Sequence, residues 1–438
     1  MKNEMRICVF PDRPADKPMR DILGINNTPR LTTKAIQEHD KALFDALHFG
    51  HIRFHDAANE NPNQQLIDIH RIFPLFHLDE NDPKNYFFDQ TDDYLSMIAD
   101  SNAQIDFKLG ETIDHSGFAR LIGVPENIDK WARICRNIIA HYKNGEMNGM
   151  HLNITRVTVW EEPDNKDLFS GTVEDYSAMF CAVYKLLKQD FPDIRVGGPS
   201  IIANAFQYLE EFLTICKQNG CKPDYITATI YGRELDVVLE RIAKYREIAA
   251  KVGFSGLPIH IAEWHLRPLD WKKTSHMEAN GYLSAESAAY AVSFLTTMLD
   301  TEDLEVAYYY SWATAIWGVL NFRSDEYDPL PVYYGLQFFQ KLATAGCRRI
   351  SVTAENLNGA TVLAGVTEEG KVRVLVSCFM QEPCTIVCSA GDAESGSFRS
   401  VRMDYRESDC TEGTLLRAED GSFVFAHDGG SGVYLLEF

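Results

Sequence analysis

Thr155-Arg156-Val157-Thr158-Val159-Trp160 is a short run rich in β-branched residues. It ends in the acidic loop Glu161-Glu162-Pro163-Asp164. Residues 173–190 follow with apolar side chains at helical spacing, and residues 194–198 form the next β-branched run. Strand, helix and strand over this length make one βα unit with a parallel partner strand.

The same alternation extends in both directions. Strand-like runs lie near residues 21–26, 50–54, 103–109, 155–160, 194–198, 225–230, 258–262 and 305–311. Between them, 125–142 and 234–252 carry helical patterns like that of 173–190. Ile128, Trp131, Ile134, Cys135, Ile138 and Ile139 mark the buried face of the first. Eight strands with helical crossovers predict an α/β fold, a closed (β/α)8 TIM barrel. An open doubly wound sheet would carry a glycine-rich phosphate loop after its first strand. Here that position reads Asn26-Asn27-Thr28-Pro29-Arg30.

The pattern changes after Gly346. Alternating runs such as Val372-Arg373-Val374-Leu375-Val376 are separated by turn clusters at 391–396 and 428–432, which predicts a C-terminal β-sandwich. The expected division is an N-terminal strand in 1–15 joining the sandwich, a barrel over 16–346 and the sandwich over 347–438. Arg6-Ile7-Cys8-Val9-Phe10 is the candidate strand.

Composition narrows the function. The chain has 63 acidic and 42 basic residues, a formal net charge of −21. Such a surface repels phosphate backbones and anionic membranes, so neither nucleic acid nor a membrane is expected as partner. The N-terminus has no apolar stretch of signal-peptide length, and no run approaches a membrane span, so a soluble cytoplasmic protein is expected. The ten cysteines include no Cys-x-x-Cys pair and read as small core residues. No metal-ligand motif, nucleophilic-serine motif or Walker loop is present, and no cofactor or metal is expected. The oligomeric state is open, a homo-oligomer included.

Catalytic groups of a barrel sit at the C-terminal ends of its strands. The fourth run ends at Glu161-Glu162 and the seventh at Glu263-Trp264-His265. Glu162 and Glu263 are roughly 100 residues apart, about three βα units of ~30 residues each. That places them across the mouth from one another. Glycoside hydrolysis needs two carboxyl groups of opposed protonation, ~5 Å apart in a retaining enzyme.

These motifs resemble glycoside hydrolase family 39, the β-xylosidase and α-L-iduronidase family of retaining barrel enzymes. The family's Trp-Asn-Glu-Pro is matched by Trp160, Glu162 and Pro163, which implies Glu162 as acid/base. Glu263-Trp264 matches the nucleophile motif. His51-Ile52-Arg53-Phe54-His55 is similar to the second-strand motif, whose Arg and His lie near the centre. Phe88-Asp89 and Val196-Gly197-Gly198-Pro199-Ser200 are also similar, and Tyr231 matches a tyrosine that can hydrogen-bond the nucleophile.

Three positions depart from the family. Glu161 replaces the Asn that contacts the sugar 2-hydroxyl, and Thr229 replaces a His. The stretch 312–318 lacks the family's sugar-binding carboxylates. The resemblance therefore implies a retaining, exo-acting glycosidase on a carbohydrate substrate, with altered sugar choice. Arg53, His55, Glu161, Tyr231, Trp264, Trp312 and Trp317 are the expected substrate-binding residues, the three tryptophans as a stacking platform for sugar CH faces. The alternatives are a catalytically silent carbohydrate-binding protein on a glycosidase scaffold, or a transglycosylase.

Overall fold

The computed structural model describes residues 4–29, 34–57, 65–112, 121–267, 284–312, 317–321, 328–344, 346–401 and 410–438. Strand β1 spans Glu4–Pro14. The barrel strands are β2 (Leu23–Asn26), β3 (His51–Phe54), β4 (Gln104–Leu109), β5 (Ile154–Val159), β6 (Arg195–Ile202), β7 (Ile226–Gly232), β8 (Ile259–Leu266) and β9 (Leu304–Tyr309). They pair in sequence order and all in parallel, and β2 closes on β9. The helices are α1 (Lys34–Asp45), α2 (Ile69–Ile72), α3 (Asp89–Ser96), α4 (Ile128–Asn144), α5 (Val173–Asp190), α6 (Phe206–Gln218), α7 (Leu235–Val252), α8 (Ala285–Met298) and α9 (Pro331–Ala343).

Local chemistry sets the ends of these helices. Thr172 and Asp175 form a reciprocal capping box at the start of α5. Asn127 caps α4, whose last turn closes on Gly145 at φ 72°, a conformation glycine adopts without a Cβ clash. The outward residues of the strands, such as Phe54, Phe107 and Val157, pack with helix residues such as Ile134, Tyr142 and Phe180 in one continuous core.

Among the described residues nine more strands follow: β10 (Arg348–Glu355), β11 (Thr361–Val366), β12 (Val372–Gln381), β13 (Cys384–Ala390), β14 (Ser397–Val401), β15 (Thr411–Thr414), β16 (Leu416–Arg417), β17 (Phe423–His427) and β18 (Gly430–Glu437). With β1 they form a mostly antiparallel ten-stranded sheet, in which β1 lies between β10 and β13. Two halves of this sheet enclose a second core that includes Met5, Ile7, Val374, Val376, Ile386 and Leu436. Strand alternation turns the neighbouring residues the other way: Leu375, Val433 and Leu435 join the barrel core. That face meets α8, where Ser377 Oγ donates to the Ala289 carbonyl at 2.7 Å. The sheet thus packs its apolar face on α8, and Arg373 Nη1 ties it to α9 by donating to the Lys341 carbonyl at 2.7 Å.

Candidate active site

The seventh barrel strand does not stop at Ala262, as its sequence predicts, but continues to Leu266. Its register against β7 shifts: Ile261 pairs with Ala228, and Glu263 pairs with Thr229. Ala262 is the extra residue of a bulge, and its carbonyl turns inward to accept from Asn26 Nδ2 at 2.9 Å. A bulge reverses the facing of every later side chain. Glu263 therefore points into the mouth and Trp264 points out.

The reversal corrects the expected stacking platform. Trp264 is fully buried and lies flat on Phe294 of α8, with ring centroids 4.0 Å apart. Trp312 is also fully buried and faces the helices, where its Nε1 donates to Asp40 at 2.7 Å and its ring meets Phe44 edge-on. Neither ring is open to a sugar. Trp317 is half-buried and stands among Tyr231, His265 and Tyr310, with centroids 5.3–6.3 Å away. Tyr310, which the sequence reading missed, lies edge-on to His55 and donates to Asp56. Three consecutive tyrosines, Tyr308 to Tyr310, obscured which one reaches the mouth.

On the opposite side β5 ends at Val159, and the chain turns through Trp160 at φ 63° and Glu162 at φ 41°. These left-handed conformations are costly for residues with a Cβ and are held by surrounding contacts. Glu162 N–H donates to the Ser200 carbonyl at 3.0 Å, and Trp160 Nε1 donates to the Leu168 carbonyl at 3.0 Å. The turn buries Glu161 and leaves Glu162 partly open to the mouth.

Glu161 is tied on both oxygens. Oε2 pairs with Arg53, and Oε1 accepts from Ser200 Oγ at 2.6 Å and Thr229 Oγ1 at 3.2 Å. Arg53 is itself buried, and its Nη1 donates to Asn26 Oδ1 at 3.0 Å. Glu263 accepts from Tyr231 Oη on Oε2 at 2.8 Å, and its Oε1 lies 2.8 Å from His55 Nε2. Thus Arg53, His55, Glu161, Tyr231, Trp317 and the two carboxylates converge on one mouth. Residues 313–316 of the strand-eight loop lie outside the described residues.

The two carboxyls are driven apart. Burial raises the Glu162 pKa, and the charges of Glu263 and Glu161 add to it, reaching about 8. Burial pushes Glu263 the same way, but the His55 charge and hydrogen bond, with Arg53 behind them, outweigh it and hold the pKa below the ordinary value. Asp56 is likewise held low against burial by His55, Tyr310 and Asn27.

Two groups of ligand-type side chains occur among the described residues, His55–Glu161–Glu263 and Asp68–His70–Glu111. Each is tied to a buried cation, Arg53 in the first and Lys108 in the second.

A closed parallel barrel with two carboxyls at its mouth, one pKa pushed up and the other down, is the architecture of a carboxylate-pair enzyme. The family model for glycosyl hydrolases family 39 matches residues 86–344, and the chain belongs to that family. It is 24% identical over 286 residues to a β-xylosidase of Caldicellulosiruptor saccharolyticus, covering 58% of this chain and 54% of that protein. It is 22% identical over 161 residues to a β-xylosidase of Geobacillus stearothermophilus, covering 32% of each. The chain thus spans about half and about a third of the length of these relatives. The glucosidase structure from Croceicoccus marinus superposes with a TM-score of 0.77 at 19% identity, covering 99% of this chain and 98% of that one. A monomeric β-xylosidase from Caulobacter crescentus CB15 gives 0.71 at 16% identity, covering 99% of both. No helix among the described residues is long and apolar enough to cross a membrane.

Proposed function

We propose that this protein is a retaining, exo-acting glycoside hydrolase, with Glu162 as acid/base and Glu263 as nucleophile. The observation that carries the reading is the unlike setting of the two groups: His55 and Tyr231 lie on Glu263, while Glu162 is buried near like charge. Glu162 keeps its proton to about pH 8 while Glu263 is held ionised. Glu162 gives its proton to the glycosidic oxygen as a Glu263 oxygen bonds to the anomeric carbon and the C–O bond to the leaving group breaks. The ester neutralises Glu263, which removes one of the charges that kept Glu162 protonated. Glu162, now a carboxylate, takes a proton from water as that water displaces Glu263 and frees the sugar.

The family and the β-xylosidase relatives support a carbohydrate substrate. The polar wall supports a sugar choice that departs from xylose. A carboxylate at 161 only accepts hydrogen bonds, where an amide would also donate, and Thr229 is spent on it rather than on the sugar.

The test is turnover of aryl xylosides, arabinosides, galactosides, glucosides, fucosides and uronides in both anomers, by wild type and Glu263→Gln. Turnover of at least one by wild type, lost in the variant, is expected. A folded wild type inert on the whole panel and on short oligosaccharides would contradict the reading.

A further inference from the structure

His55 lies between two carboxylates. Its Nε2 is 2.8 Å from Glu263 Oε1, and its Nδ1 is 3.8 Å from Glu161 Oε2. The ring is buried, and among the described residues Nδ1 has no hydrogen-bond partner. A neutral imidazole carries one proton and one lone pair. With the proton on Nε2, the lone pair of Nδ1 faces the Glu161 carboxylate. With the proton on Nδ1, a lone pair faces Glu263 at contact distance. Only the doubly protonated ring presents an N–H to both.

We infer that Glu161 holds His55 as an imidazolium spanning the two carboxylates, which makes Glu161 a positioning residue for the nucleophile. The inference rests on the reading of Glu263 proposed above.

The surroundings agree. Arg53, on β3 just before His55, is committed to Glu161 and Asn26, and Asp56 adjoins the ring with Tyr310 and Asn27 as its donors. Lys108 reaches Thr112, which donates to the His55 carbonyl, but it is paired with Asp68. Burial opposes charge on His55, yet Glu263, Asp56 and Glu161 together pull its pKa above the ordinary value. Thr229 and Ser200 fix the Glu161 carboxylate from the side away from Arg53, so its placement does not depend on substrate.

The inference has a signature that a structural role would not give. Removing the charge at 161 takes away one of the three carboxylates that raise the His55 pKa, beside Glu263 and Asp56, so the pKa falls and the charged ring is lost at a lower pH. Glu263 then loses part of its support, and its pKa climbs. Glu162 loses a like-charged neighbour, and its pKa falls from about 8. Productive enzyme needs Glu263 ionised and Glu162 protonated, so the active pH window narrows from both ends. A residue acting only on substrate would change KM or sugar preference and leave the acid limb in place.

The test is ¹⁵N NMR of the full chain labelled at its 13 histidines, with the His55 signals assigned by their loss in His55→Asn. Wild type is expected to show both His55 nitrogens protonated at pH 7, and Glu161→Gln to lose the second proton at a lower pH than wild type. The acid limb of kcat/KM should rise by about one pH unit in Glu161→Gln and return in Glu161→Asp, which keeps the charge. A singly protonated His55 in wild type overturns the inference, and so does a ring unchanged in a folded Glu161→Gln. The wild-type spectrum decides even if that variant does not fold. The spectrum needs no turnover, so a failed nucleophile assignment shows separately, as activity retained in Glu263→Gln.

Discussion

Glu263 stands in register with Thr229, although regular pairing onward from Ile261 and Ala228 would have put Ala262 there. One extra residue on β8 decides which side chain faces the barrel mouth. It brings the carboxylate inward beside Tyr231 and His55, and it sends the tryptophan after it into the wall.

Trp264 and Trp317 should therefore respond differently to truncation. Trp264→Ala empties a fully buried site against Phe294 and should cost about 3–5 kcal/mol. Whatever folds should keep a near-normal KM. Trp317→Ala should cost much less stability and raise KM, because its ring lines the mouth. Thermal unfolding and steady-state kinetics on the two variants check the contrast.

Tyr231→Phe removes the 2.8 Å hydrogen bond to ionised Glu263. A hydrogen bond to a charged group contributes about 1.5–3 kcal/mol, so kcat should fall about 10- to 100-fold. The same loss raises the Glu263 pKa, so the acid limb of kcat/KM should move upward. A profile identical to wild type would remove Tyr231 from the nucleophile's support.

Glu162 gives a prediction on stability. In the folded chain it keeps its proton to about pH 8, whereas the unfolded chain releases it near the ordinary carboxylate value. The native state binds more protons across that window, so this group lowers stability as pH rises from about 4.5 to about 8. Glu162→Gln lacks that dependence. It should match wild type near pH 4 and melt on the order of 1–4 °C higher at pH 8 and above. In activity assays it should lose the alkaline limb and retain most turnover only on substrates with highly activated leaving groups.

Much of this was legible in the sequence because strand and helix periods differ. Residues 173–190 read as a helix, and α5 spans the same residues. Val374 and Val376 alternate with Leu375, which is what a sheet with two covered faces requires. Glu162 and Glu263 were placed at the barrel mouth from where their strands were expected to end, although β8 runs past Glu263 to Leu266. The bulge was not legible: Ile259-His260-Ile261-Ala262 alternates without a break, and nothing local marks Ala262 as extra. Regular alternation past it would have put Trp264 in the mouth. Tyr310 and Trp312 pose the same problem of facing at the end of β9. Pairing Arg53 with Glu161 was foreseeable from charge. The hold of Ser200 on Glu161 was not, because it depends on an irregularity in β6 between Pro199 and Ile201.

The most direct test of the central claim is to trap the intermediate. An activated 2-deoxy-2-fluoro glycoside of the preferred sugar should inactivate the enzyme with time, because fluorine at C2 slows breakdown of the glycosyl ester. Peptide mass spectrometry should then find one sugar, bonded to Glu263. Label on another residue, or product formed with inverted anomeric configuration and no covalent species, would contradict the account.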